Sequence, residues 1–269
     1  MAKFVGIKVV LWTHGYYGRE SRINLTIKRL FYSLAEQILT YNQYSKGLLV
    51  EGGFKAENIN VFNNSLLTRA DIDELQKNKP AHVKSETIRF IYVARIFRGR
   101  KIEVLFRACN KIASQVKIKI VLVGPVDDDY REELSKIPSS ELTVDFYGPC
   151  YDKVELQNLY SQSDLAISPG SVGLFAIQAQ QFGLPMISHD DFSSQGPEFE
   201  SVIPGVTGDF FKFDSENDLS EVILKWVNKI KTEGHKEIAD KCTDNIRENY
   251  TVDYQIKIFK RIKNHFCKK

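Results

Sequence analysis

The chain has 269 residues, 43% hydrophobic and 26% charged, with a net charge of +3. That length and balance suit one large folded domain or two small ones and exclude a disordered polymer. The net charge is too small to point to nucleic acid.

The charge is unevenly placed. Six Lys or Arg face the single acid Asp253 between Thr251 and Lys269, and the first fifty residues hold seven bases against Glu20 and Glu36. Such patches suit an anionic surface or substrate as well as solvated helix faces. Cys109, Cys150, Cys242 and Cys267 show no CxxC spacing and read as free thiols of a reducing compartment. No apolar run approaches the roughly 20 residues that span a bilayer. "FVGIKVVLW" is too short, and no signal-peptide cleavage pattern follows it. A cytoplasmic chain is expected.

"IKVVLW" (7–12) predicts a buried strand. Ile23, Ile27, Leu30, Phe31 and Leu34 then recur on one face of a helix. With Arg22, Lys28 and Arg29 beside it, that face suits either an anionic membrane surface or, as the simpler expectation, the core. "ILTY" (38–41) predicts a strand, "YSKGLLVEG" a helix ending at Gly52-Gly53, and "INVF" (59–62) a third strand. From Asn63 to about Thr87 the chain turns polar and reads as a linker.

A second alternation follows. Strands are expected at "IRFIYVA" (88–94), "IKIVLVG" (118–124), "LTVDFYG" (142–148), "DLAIS" (164–168) and "LPMIS" (184–188). Between them come a helix marked by Ile102, Leu105, Phe106, Cys109 and Ile112, one over Tyr130 to Lys136, one from Asp152 to Ser161, and one after "SPGSVGL". Leu219 to Ile230 and Tyr250 to Phe266 are the last two. Near-continuous apolar strands alternating with helices predict an α/β fold of parallel sheets covered on both faces. Two Rossmann-like domains are expected, over 1–80 and 81–249, with a final helix over 250–269 crossing back to the first.

In open parallel sheets, ligands bind beyond the carboxyl ends of the strands. Three stretches there carry candidate chemistry. In "SPGSVGLFAIQAQQFGLP" (168–185), Ser171 is an expected N-cap. The N–H groups of Val172, Gly173 and Leu174 would then face a phosphate, or only water at a plain turn. In "VARIFRGRK" (93–101), Arg95, Arg100 and Lys101 could clamp a diphosphate or form a solvated basic loop. In "WTHGYYG" (12–18), His14 follows a strand and could hydrogen bond a ligand or serve its own turn. Gly124 ends the second strand of the second series. "DDDY" (127–130) reads as a helix N-terminus rather than a metal site. His82, His189, His235 and His265 show no metal-ligand spacing, so no metal is expected. The G-x-G-x-x-G fingerprint is absent, which argues against a dinucleotide-dependent epimerase.

Together these stretches resemble a retaining glycosyltransferase of family 4, most closely over 88–211, in a bacterial surface-polysaccharide subgroup with "SPG-x-VGL" and "PEFE…PG-x-TG-x-FF" stretches. The resemblance implies a GT-B fold and a UDP- or GDP-linked sugar as donor. Arg95 and Arg100 would grip the diphosphate, Lys101, Gly124 and residues 171–174 would complete the donor site, and His14 would stand near the sugar. No metal is implied. The family's Glu-x7-Glu pattern falls on Gly170 and Gln178, so an amide would meet the ribose and no side chain would reach the sugar from Gly170. The resemblance also implies further elements before the strand that ends near His14. A shortened N-terminal domain is expected, with a sheet edge exposed or covered by a second copy or partner chain. The acceptor would be a glycan or lipid-linked molecule, with peripheral membrane contact and no nucleic acid. The rival reading is a non-catalytic nucleotide-sugar-binding subunit that needs a partner chain for the acceptor half.

Overall fold

The structure is a computed structural model and describes residues 7–83 and 85–267. Two bases of the basic tail, Lys268 and Lys269, lie outside the described residues, as do the first three residues of the "FVGIKVVLW" run. In chain order the first elements are β1 (Val10–Trp12), α1 (Arg22–Tyr32), β2 (Gln37–Thr40), α2 (Gln43–Glu51), β3 (Ile59–Val61) and α3 (Arg69–Asn78). There follow β4 (Ile88–Val93), α4 (Ile102–Ile112), β5 (Ile118–Val123), α5 (Asp128–Ser135), β6 (Leu142–Gly148), α6 (Lys153–Ser161) and β7 (Leu165–Ile167). The last are α7 (Leu174–Gln181), β8 (Met186–His189), β9 (Gly208–Phe211), α8 (Glu216–Glu233), α9 (His235–Asn249) and α10 (Val252–Cys267). Among the described residues, no helix is long and apolar enough to cross a membrane.

The chain divides into two units, one running to Arg69 and resuming at Glu248, the other Ala70–Arg247. The first unit holds a three-stranded parallel sheet in the order β1-β2-β3. One face buries Tyr16, Tyr32, Ile38, Leu49 and Ile59. The other buries Leu39 and Phe62 against Ile258 and Ile262, one turn apart on α10. Polar contacts fix the same docking: Arg261 donates to Asn60 Oδ1 (2.7 Å) and Tyr254 to the Val61 carbonyl (3.3 Å).

Two expectations for this unit fail. The apolar row of α1 is not core: Ile23, Ile27, Leu30, Phe31 and Leu34 are 53–73% exposed. The helix is held instead by its other side, where Tyr32 bonds Thr13 Oγ1 (2.9 Å) and Leu25 packs on the unit's core. Nor is "IKVVLW" a buried strand. Only its last three residues pair, β1 pairs with β2 alone among the described residues, and Trp12 is half exposed.

The second unit holds six parallel strands in the order β6-β5-β4-β7-β8-β9. Counted from its own first strand this is 3-2-1-4-5-6, the doubly wound order, in which the chain reverses direction between β4 and β7. The row expected for α4 is buried throughout, from Ile102 to Ile112. Three elements were not expected. α3 occupies the stretch read as a linker and ends before Pro80; only Ile72 on it is buried, too thin an apolar stripe to register. β9 is four residues long, with Gly208 in it. α9 is charge-rich and buries Ile238, Cys242 and Ile246 at fourfold spacing. α3 belongs with the second sheet because Gln76 donates to the Gln181 carbonyl (2.5 Å) and Lys79, just past the helix, to that of Phe182. The units therefore part after Arg69 rather than at 80.

Candidate functional site

The strand order reverses between β4 and β7, and in doubly wound sheets ligands bind at the carboxyl ends of the strands at such a point. The loop after β4 runs through Arg95 and a short 3-10 turn, Arg98–Arg100, to Lys101, which caps α4 in the left-handed conformation (φ 53°). The loop after β7 comes against it at Gly170. A Cβ there would stand 2.8 Å from Arg100 Cα and 2.9 Å from the carbonyl oxygens of Gly99 and Arg100. The position that the resembled family fills with glutamate is closed here by backbone.

That approach brings Arg100 onto Ser171. Its Nη1 donates to the Ser171 carbonyl (2.7 Å) and hydroxyl (3.0 Å), and its guanidinium carbon lies 5.2 Å from the centre of the Phe97 ring. Its Nε is buried and has no hydrogen-bond partner among the described residues.

The start of α7 differs from expectation in two ways. Ser171 is not the N-cap; Gly173 is, and no side chain caps the helix. Ser171 is drawn to Arg100 instead. The Val172 N–H is not directed outward either, because it donates to Gln195 Oε1 (2.7 Å). In the first turn the Ala176 N–H donates to the Gly173 carbonyl (2.9 Å), while those of Leu174 and Phe175 have no intrahelical acceptor to reach, as at any helix start. Leu174 itself is exposed.

The other expected residues spread around this core. Arg95 is largely exposed, with Nη2 3.5 Å from Asp127 Oδ1. Lys101 pairs with Asp214 (2.8 Å) and lies 5.0 Å from the centre of the Phe213 ring. Gly124 is a glycine for packing: at φ 146° its Cβ would stand 2.1 Å from the Ala94 carbonyl oxygen. Gln178 is half-buried and accepts through Oε1 from Tyr160 (3.1 Å), which leaves its amide nitrogen as the end able to donate to a ligand. Burial pushes Tyr92, beneath Arg95, up to about 12. Asp127, Asp128 and Asp129 open α5 as expected. His14 is an exposed residue of the first unit, its ring beside Tyr41 (4.7 Å) and Tyr17 (6.1 Å).

Two residues at the same sheet edge were not singled out from the sequence. His189 ends β8 and is 1% exposed. Its Nδ1 accepts from the Asp191 N–H (3.2 Å), so Nε2 carries the hydrogen, yet Nε2 is buried without a partner. Burial lowers this imidazole to about 4, partly offset by Asp191 and Asp190, so it is neutral at ordinary pH. Glu198 is buried, and its Oε2 lies 3.9 Å from where a Cβ on Gly173 would be. Their signals were a histidine ending an apolar strand and an acid inside the quoted "PEFE".

The fold matches known proteins along nearly all of its length. A glycosyltransferase from Rickettsia africae ESF-5 superposes with a TM-score of 0.74 at 16% identity, over 100% of this chain and 73% of that one. Anabaena Alr3699/HepE in complex with UDP gives 0.72 at 16% identity, over 98% and 74%. Both likenesses are of fold: an α/β chain of two Rossmann-like parallel sheets, as in GT-B glycosyltransferases. In sequence, an uncharacterized 41.2 kDa protein in the cps region of Klebsiella pneumoniae is 22% identical over 246 residues, 90% of this chain. The chain spans 66% of that relative's length. The family model of the glycosyl transferases group 1 matches residues 73–249, well over half of the chain, including β4 and α7. The chain belongs to the glycosyl transferases group 1 family.

Proposed function

We propose that the chain transfers a hexose from a nucleotide-diphosphate sugar to a glycan or lipid-linked acceptor, with retention at the anomeric carbon and without a metal in the transfer step. The observation that carries this reading is Arg100 at the switch point, half-buried, bonded to Ser171 and left with an orphan Nε. Arg100, with Arg95 and Lys101 around it, would take the diphosphate. Cations fixed beforehand stabilise charge that develops on a leaving phosphate. The N–H groups of Leu174 and Phe175 add donors beside them, and Gln178 would meet the ribose. UDP in the Anabaena relative favours a uridine donor; GDP is the alternative. The cps-region relative favours polysaccharide synthesis. Retention rests on the family resemblance. In the first unit, the exposed ring of His14 just past β1 suits hydrogen bonding to a sugar hydroxyl.

A thermal-shift panel of nucleoside diphosphates and nucleotide sugars tests the donor site. At least one diphosphate is expected to raise the midpoint of the wild type. Arg100→Ala should weaken that ligand about 100-fold, and Arg95→Ala, whose charge is solvated, about 10-fold. If no nucleotide moves the wild type, the reading fails. Binding without turnover by the purified chain would favour the non-catalytic subunit instead.

A further inference from the structure

At the opposite, amino end of the same sheet, residues far apart in sequence meet around one carboxylate. His82 lies in the segment between α3 and β4, Asp164 just before β7, and His235 at the first position of α9. His82 Nε2 is 3.2 Å and His235 Nε2 3.1 Å from Asp164 Oδ1, and the two imidazole rings lie 3.9 Å apart. The three side chains border a cavity of about 900 Å³ that is also lined by Lys79, Ser161 and Pro185. Among the described residues, this is the only group of His, Cys, Asp or Glu with three ligand atoms so close together.

Hydrogen bonding alone leaves this cluster in conflict. His82 Nδ1 faces the Ser161 carbonyl at 3.1 Å, so it is the nitrogen that donates. A neutral imidazole then has only a lone pair at Nε2, and that lone pair faces a carboxylate oxygen. A cation between the three ligand atoms removes the clash. The spacing fits one. Zinc bonds of about 2.0–2.1 Å at tetrahedral angles separate neighbouring ligand atoms by about 3.3 Å.

The supporting contacts also have the form of a metal site. Ligating imidazoles usually donate their other nitrogen to a carbonyl, as His82 does, and ligating carboxylates are themselves hydrogen-bonded. Asp164 Oδ2 accepts from the Arg89 N–H (2.6 Å), which turns Oδ1 toward the histidines. Ser161 Oγ, in the cavity wall, is buried and has no partner among the described residues. Three protein ligands beside a cavity leave a fourth position for water or a small anion.

We propose that His82, Asp164 and His235 bind one divalent transition ion, zinc being the simplest match to two imidazoles and a carboxylate. The ion would tie the α3–β4 segment and the start of α9 to the foot of β7. It sits at the end of the sheet away from Arg100, so it takes no part in transfer.

The test uses untagged, chelator-treated full chain, titrated with ZnCl2 and, for its colour, CoCl2. Expected are one bound zinc per chain and a rise of about 5–10 °C in thermal midpoint at zinc 100-fold above Kd. Cobalt should give the visible absorption of a tetrahedral site. His82→Ala and His235→Ala should each weaken binding at least about 100-fold while keeping the far-ultraviolet circular dichroism of the wild type. The Cys150→Ser/Cys267→Ser double variant should bind as the wild type does, which separates the site from the two thiols that are not buried. Zinc bound equally by both histidine variants, or not bound stoichiometrically by the wild type, overturns the proposal. So does a midpoint that follows pH in chelator and ignores zinc; the cluster would then be a proton-linked pair.

Discussion

The two ends of the six-stranded sheet share their strands but not their chemistry. At the carboxyl end, backbone comes within contact distance of backbone at Gly170 and Gly124, and the side chains that gather are Arg95, Arg100 and Lys101. Two buried donors there, Arg100 Nε and His189 Nε2, have no acceptor. At the amino end, two imidazole nitrogens face one carboxylate oxygen. One end has cations and two unpaired buried donors and suits an anion; the other gathers two imidazoles on a carboxylate and suits a cation. The topology explains why the anion site stands where it does, since parallel strands reverse order above their carboxyl ends. Nothing in the topology dictates the amino-end cluster, which comes from the side chains at 82, 164 and 235 themselves.

The comparison would break first at Gly170. If the carboxyl end depends on backbone contact, a single methyl should disturb it. Gly170→Ala places a carbon 2.8 Å from Arg100 Cα and against two carbonyl oxygens. Overpacking of this kind costs about 1–3 kcal/mol, or several degrees in midpoint. The turn that carries Arg100 should also move away from Ser171, so diphosphate affinity should fall roughly 10- to 100-fold while zinc binding at the other end is unchanged. Gly47→Ala, inside α2 with open space around its Cβ, is the control and should be neutral or slightly stabilising. Equal midpoints for Gly170→Ala and wild type would show that the loop yields easily and the clasp is not built on that contact.

Much of this was legible in the sequence, for a physical reason. Strands buried on both faces are nearly continuous apolar runs, so β4, β5 and β8 stand out, as does the buried row of α4 from Ile102 to Ile112. Arg100 was legible because it follows a strand. What was hidden depends on distance along the chain. The use of Ser171 was misread because its partner, Arg100, lies 71 residues away and drew it from the capping role. His82 and His235 meet only because α9 packs near the foot of β7, and no local spacing encodes that. The apolar row of α1 was misassigned because periodicity shows that a face exists, not what covers it.

Glu198 sharpens the comparison within the anionic end. It is a buried acid with Oε2 on the Gly173 side, whereas Arg100 binds on the Ser171 side. We infer that the two charges divide the ligand: phosphate to Arg100, sugar hydroxyls to Glu198, which would supply the acid that Gly170 has no room to carry. Glu198→Gln should then lower affinity for the nucleotide sugar about 10-fold and leave that for the nucleoside diphosphate within about twofold. Isothermal titration with both ligands reads the difference directly. Equal losses would mean that Glu198 shapes the loop and does not select the sugar.

His189 gives the smallest effect and the cleanest sign. Burial holds its folded pKa at about 4, below the ordinary 6.5. Above pH 6.5 neither the folded nor the unfolded state binds the proton. As pH falls from 6.5 toward 4 the unfolded state takes it up and the folded state does not, so stability is lost through that window. Between pH 7 and 5.5 the loss should be on the order of 1 kcal/mol. His189→Asn keeps an acceptor for the Asp191 N–H and removes the titration. Its midpoint, measured in chelator to silence the amino end, should therefore fall less than that of the wild type over this range. A bound diphosphate that accepts from Nε2–H would raise the cost of losing His189 at neutral pH, where the titration itself is silent. A larger ligand-induced shift in the wild type than in the variant at pH 7.5 would place His189 in the anion site, and equal shifts would leave it a core histidine whose orphan nitrogen has another cause.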